Sequence, residues 1–174
     1  MRITKFAIVV FALLSLHFNL FAQDSEQLFT IYLVRHAEKE MTSDNPKDPP
    51  LTPCGEIRAK SLAIFFDSVE LDVIYSTDYK RTKKTALPTA EKKRLEIKIY
   101  DPRELNDFAK LLINRKQDVL VVGHSNTTGV LAGLLIGEEL GSFDEKIYNR
   151  IYQVVLYNKS GRLHVLQTAF KCDD

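Results

Sequence analysis

Short apolar or β-branched runs recur along this chain with amphipathic segments between them, and that alternation leaves few architectures open. Residues 27–34 (QLFTIYLV) read as a buried strand, and residues 55–68, with apolar Ile57, Ala59, Leu62, Ala63, Phe65 and Phe66, suit an amphipathic helix. Residues 72–75 (DVIY) read as a second strand. The spacing predicts a helix over 79–93, which Pro88 is expected to kink or divide. A strand over 95–100 and a helix over 103–114 follow. Residues 118–122 (DVLVV) form a core strand ending at Gly123, and an apolar helix over 127–136 is closed by Gly137. Two late strands, 152–157 and 163–168, are joined by the turn Asn158-Lys159-Ser160-Gly161. The expected fold is a three-layer α/β sandwich. Its sheet is mainly parallel, its last two strands make an antiparallel edge, and helices cover both faces. At 174 residues the chain suits one such domain.

The first 22 residues stand apart. Arg2 and Lys5 precede the apolar run 6–22, and the chain turns polar at Gln23. A basic start, an apolar middle and a small residue before a polar break are the pattern of a cleaved secretory signal. Cleavage is expected after Ala22, giving a signal over 1–22, a domain over 23–174, and a periplasmic or secreted location. The run is short for a bilayer span and is interrupted by His17 and Asn19, so no stable membrane insertion is expected after cleavage. Formal charge is +1, without the basic excess of a nucleic-acid binder. The two cysteines, Cys54 and Cys172, are free to pair in an oxidising compartment, but spacing alone leaves that open.

Chemistry-bearing residues follow three of the expected strands. Arg35-His36-Ala37-Glu38 follows the first. Ser76 and Thr77 follow the second, with Arg81 about a helical turn beyond. Gly123-His124-Ser125-Asn126 follows the fourth. In sheets of this type, ligands sit beyond the carboxyl ends of the strands. Two arginines and two histidines would therefore meet at one edge. Guanidinium forks suit phosphate oxygens, because they stay charged and donate parallel hydrogen bonds. A neutral imidazole whose other nitrogen is held as a donor, often by a backbone carbonyl, has a lone pair free to attack phosphorus. A second, protonated imidazole would add charge. Ser125 is expected to cap the following helix and to help bind substrate. Lys39 stands at the pocket mouth, as added positive charge or as a solvated side chain. No cluster of carboxylates stands out as a metal site, and neither metal nor cofactor is expected.

These segments resemble the histidine phosphatase superfamily, the phosphoglycerate-mutase-like fold. LVRHAEK (33–39) is similar to its Arg-His-Gly signature, with Ala37 in place of glycine. YSTDYKRTKKTA (75–86) is similar to its Ser-x-x-x-Arg-x-x-x-Thr-Ala segment, with one extra residue before the arginine. VVGHSN (121–126) resembles the second-histidine motif, and LTPCGEIRA (51–59) the Leu-Thr-x-x-Gly helix entry. The resemblance implies that His36 is phosphorylated, that Arg35 and Arg81 bind the phosphate, and that His124 completes the pocket. The short chain resembles the small phosphohistidine-phosphatase-like branch rather than the mutases.

The expected function is hydrolysis of a phosphomonoester or phosphoamidate, on a small phosphorylated substrate, through a phosphohistidine. The alternatives are an envelope phosphatase acting on phosphosugar or lipopolysaccharide core, and a phosphate-binding module without turnover. Larger relatives often take a general acid from the loop after the third strand, here YDPRELND. Asp101 is the first choice, with an N-cap as its competing role. Glu104, Asp107 and Glu38 follow it. Specificity is expected from residues 41–53 and 140–150, neither of which carries a readable pattern.

Overall fold

The computed structural model describes residues 27–158 and 160–172. The expected signal segment, 1–22, lies outside the described residues. The elements in chain order are β1 (Leu28–Arg35), α1 (Pro53–Phe65), β2 (Val73–Ser76), α2 (Lys80–Lys93), β3 (Ile97–Ile99), α3 (Leu105–Arg115), β4 (Val119–Gly123), α4 (Thr128–Ile136), β5 (Arg150–Tyr157) and β6 (Ser160–Gln167). They build one six-stranded sheet in the order β3-β2-β4-β1-β5-β6. The pairs β3–β2, β2–β4 and β4–β1 are parallel, whereas β1–β5 and β5–β6 are antiparallel.

Strand side chains alternate between faces, and the core divides accordingly. Ile31, Leu33, Val119 and Val121 join Phe108, Leu112 and Leu131 on the face covered by α3 and α4. Tyr32, Val34, Leu120 and Val122 join Leu62, Phe66, Ala86 and Ala90 on the face covered by α1 and α2. Every residue of β4 is buried, which is why its sequence is a continuous apolar run rather than an alternating one. This is the three-layer sandwich expected. Among the described residues no helix is long and apolar enough to cross a membrane.

Three local expectations need correction. Helix α2 is not divided: it runs through Pro88. The carbonyl that loses its partner there belongs to Lys84, an exposed residue, so water can satisfy it. The strand expected over 95–100 shrinks to Ile97–Ile99, a sheet edge paired on one side only. Ser125 does not cap α4. Thr127 holds that position, because the chain first makes a turn in which the amides of Thr127 and Thr128 both donate to the His124 carbonyl.

Leu120 is fully buried at the centre of the sheet. Leu120→Ala should cost about 2–5 kcal/mol in urea unfolding. A loss below about 1 kcal/mol would contradict burial on both faces of β4.

Candidate active site

The parallel register sets the site. Arg35 pairs with Gly123 in β1–β4, and Ser76 pairs with Val122 in β2–β4, so three strands end at one level. The His36 amide donates to the Gly123 carbonyl at 2.9 Å, extending the pairing one residue past the strand. Gly123 is needed there, since a Cβ would lie 2.5 Å from the Tyr100 hydroxyl. The loop after β1 is held against the start of α1. The Thr52 amide donates to the Glu38 carbonyl at 2.9 Å, and Thr52 caps the helix through Gly55 N–H. A Cβ on Gly55 would sit 2.3 Å from that same carbonyl.

The rings of His36 and His124 lie 5.4 Å apart, centroid to centroid. Together with Arg35, Lys39, Arg81 and Ser125 they line a cleft of about 360 Å³. All the residues expected to bind substrate thus line one cleft. Asp101 does not; it lines the neighbouring cleft with Asp78 and Tyr79.

His36 is 3% exposed, and its Nδ1 is 2.7 Å from the Ala37 carbonyl. A carbonyl only accepts, so Nδ1 carries the proton and Nε2 keeps its lone pair. Burial pushes the His36 pKa down to about 2, against the Ala37 bond, and the positive charge of Arg35 adds to the depression. The loop is fixed at Ala37 too, whose amide donates to Thr85 Oγ1 at 2.9 Å.

Thr77 Oγ1 lies 3.0 Å from His124 Nε2 and gives its own hydrogen to Thr82 Oγ1. His124 Nε2–H is therefore the donor, and Nδ1 is the nitrogen left to take up a second proton. Burial, then Arg81, Arg35 and Lys39, bring the His124 pKa down to about 4. The expectation of a protonated second imidazole is corrected: burial and two guanidiniums close by make this ring neutral.

Arg35 is buried and Arg81 half-buried, and both guanidiniums are underused. Arg35 donates through Nη1 to the Glu145 carbonyl and lies 4.1 Å from the Tyr148 ring centroid. Arg81 lies 4.4 Å from the Tyr79 ring centroid and 3.8 Å from an Asp48 oxygen. The Nε of each is buried without a hydrogen-bond partner. An unmet buried donor costs about 1–3 kcal/mol, so these nitrogens point to an anion as the missing partner.

The acid candidates are occupied or remote. Arg103 forks onto the Asp101 carboxylate and holds its pKa down to about 2, which makes it a poor proton donor. Nor does Asp101 cap α3; Glu104 stands at that position without a side-chain cap bond. Glu104 is exposed and Asp107 pairs with Lys110. Glu38 is forked by Arg58 at 2.6–2.9 Å, away from the cleft. Cys54 and Cys172 are bonded, with Cα atoms 5.9 Å apart, and this brings the Phe170 carbonyl within 3.0 Å of Arg58 Nη1.

Glu145 and Tyr148, which the sequence did not single out, come from residues 140–150. Lys47 and Asp48 reach Arg81 from residues 41–53. Tyr79 and Thr85 were also missed as positioning groups, and Thr77, placed at a strand end, was given no such role. For Thr85 a signal existed in the Thr-Ala pair that closes the second motif; the tyrosines carried none.

A buried cationic cleft at the strand ends of an α/β sandwich, with one imidazole lone pair held free, defines an oxyanion site built around a histidine. Residues 31–108 match the model of the histidine phosphatase superfamily (branch 1). It is 46% identical over 74 residues to phosphoserine phosphatase 1 of Hydrogenobacter thermophilus, across 38% of this chain and 34% of that one. It is 38% identical over 65 residues to a putative phosphoserine phosphatase 2 of the same organism, across 35% of this chain and 32% of that one. The matched stretch thus spans about a third of the length of these relatives. The fold is similar to that of the protein histidine phosphatase SixA complexed with tungstate, with a TM-score of 0.68 and 18% identity over 80% of this chain and 97% of that one. It is also similar to the alpha-ribazole phosphatase from Shigella flexneri, with a TM-score of 0.64 and 18% identity over 84% and 100%.

Both imidazoles are neutral in the fold and have a pKa near 6.5 when unfolded. The unfolded chain then binds more protons, so their contribution is complete above about pH 6.5 and is lost as pH falls toward 4 and 2. Each unmatched proton costs up to about 1.4 kcal/mol per pH unit. His36→Asn should make stability less steep between about pH 6 and 4.5, measured by urea unfolding at stepped pH. An unchanged slope would mean that His36 titrates normally in the fold.

Proposed function

We propose that the chain is a metal-independent phosphatase that hydrolyses a phosphomonoester or phosphoamidate through a phosphohistidine at His36. The observation that carries this reading is the Nδ1–H bond to the Ala37 carbonyl, which leaves Nε2 as a nucleophile in a cleft shared with Arg35, Arg81 and His124. Nε2 attacks phosphorus, and the P–O or P–N bond to the leaving group breaks. The guanidiniums hold the equatorial oxygens, where charge gathers in the transition state. A bound phosphate dianion favours protonation of His124, which then adds a charged donor. Lys39 and Ser125 line the same cleft and complete the contacts to a small phosphorylated substrate. Water attack on the phosphohistidine releases phosphate. The activities named for the relatives, phosphoserine phosphatase and protein histidine phosphatase, support the same chemistry. A module that only stores phosphate gains nothing from a nucleophilic lone pair fixed in this way.

We further propose a periplasmic or secreted location. The basic-then-apolar start and the Cys54–Cys172 disulfide both favour an oxidising compartment. That disulfide also gives weight to an envelope phosphosugar or lipopolysaccharide core as substrate, because phosphohistidine proteins are expected mainly inside cells. Turnover of phosphosugars against phosphohistidine peptides separates the two.

Quenching the enzyme during turnover, with chelator present throughout, should trap acid-labile, base-stable phosphate on the protein. His36→Ala should abolish both the trapped phosphate and turnover. Full turnover by that variant, or loss of wild-type activity on chelation, would contradict the proposal.

A further inference from the structure

We propose that Glu145 is the general acid and base of this site, a role that rests on the reading of His36 as nucleophile. Glu145 supplies the one carboxylate among the residues lining the phosphate cleft, where its charged neighbours Lys39, Arg81 and Arg103 are all cationic. Its backbone carbonyl accepts from Arg35 Nη1, which ties the segment to a phosphate-binding guanidinium. A local turn presents it: the Lys146 amide donates to Asp144 Oδ1 at 2.8 Å, and the Ile147 amide to the Asp144 carbonyl at 3.0 Å. Among the described residues no hydrogen bond or ion pair engages the Glu145 carboxylate. The other nearby acids are engaged: Asp101 by Arg103, Glu38 by Arg58, and Asp48 by the Lys80 amide and Arg81.

The chemistry balances with this one group. As His36 Nε2 bonds to phosphorus, the leaving oxygen takes the electron pair of the broken P–O bond and a proton from the Glu145 carboxyl. The alcohol departs and Glu145 is left ionised. A water oxygen then attacks phosphorus while Glu145 takes its proton. The P–N pair returns to Nε2, phosphate leaves, and Glu145 is protonated again. The His36 proton stays on Nδ1, donated to the Ala37 carbonyl, throughout.

The test compares wild type, Glu145→Gln and Glu145→Asp on phosphate esters graded from nitrophenyl through phenyl to alkyl leaving groups. Glu145→Gln should lose ~100-fold or more in kcat/KM with alkyl phosphates but under ~10-fold with nitrophenyl phosphate, which needs less protonation. Glu145→Asp should recover part of the loss. Inhibition by inorganic phosphate should shift by under ~3-fold, because Arg35 is held by the backbone of residue 145 and not by its side chain. An equal loss across the series, no loss with alkyl phosphates, or a leaving-group-dependent loss in Asp101→Asn instead would overturn the assignment. If wild type forms no phosphoenzyme and turns over no member of the series, the nucleophile reading fails and Glu145 falls with it. Wild-type turnover with an unchanged leaving-group dependence in Glu145→Gln removes Glu145 alone.

Discussion

The parallel pairing of β1, β4 and β2 decides where the chemistry can be. Because Arg35 faces Gly123 and Ser76 faces Val122, the chain leaves three strands at one height and side by side. The hydrophobic alternation locks this register, since a slip of one residue would turn Ile31 and Leu33 to the face that Tyr32 and Val34 occupy. The core and the site are therefore one constraint seen at its middle and at its end. Residues 88 positions apart in the chain, His36 and His124, come to lie with rings 5.4 Å apart.

That arrangement stores electrostatic cost. Two guanidiniums and two imidazoles are crowded into a buried cleft, and each imidazole responds by shedding its charge. The guanidiniums stay charged at neutral pH and instead lean on Tyr148, Tyr79 and backbone carbonyls. Those supports hold the side chains in place without satisfying them, so an arriving oxyanion finds donors already aimed and unspent. The surrounding scaffold resists the strain through ordinary means. Thr85 grips Ala37, Thr77 grips His124, and the Arg58–Glu38 fork, joined through Phe170 to the disulfide, anchors the loop that follows His36.

What could be read in the sequence follows from the same physics. Strand ends were legible because β1, β2 and β4 are apolar runs that stop at polar residues. Parallel strands buried on both faces leave no other pattern. The residues proposed to bind phosphate were legible because they sit on those ends or shortly beyond them. The groups that position them were not. Tyr148 and Glu145 belong to a connection with no periodicity, and their place depends on how that segment folds back over Arg35. Asp101 was the natural choice for a proton donor by chain position, and only three dimensions show Arg103 two residues on closing over its carboxylate. The Pro88 expectation failed for a related reason. Proline's effect on a helix depends on whether the freed carbonyl meets water, and sequence does not show which side of α2 is wet.

The convergence itself is open to a single direct measurement: a crystal structure of the protein soaked or grown with tungstate, a tetrahedral oxyanion whose density is unmistakable. The account predicts one anion in the cleft, within hydrogen-bond reach of both guanidiniums and both imidazoles, with His36 Nδ1 still bonded to Ala37. An anion bound elsewhere, or an occupied cleft in which Arg35 or Arg81 turns away toward solvent, would contradict it.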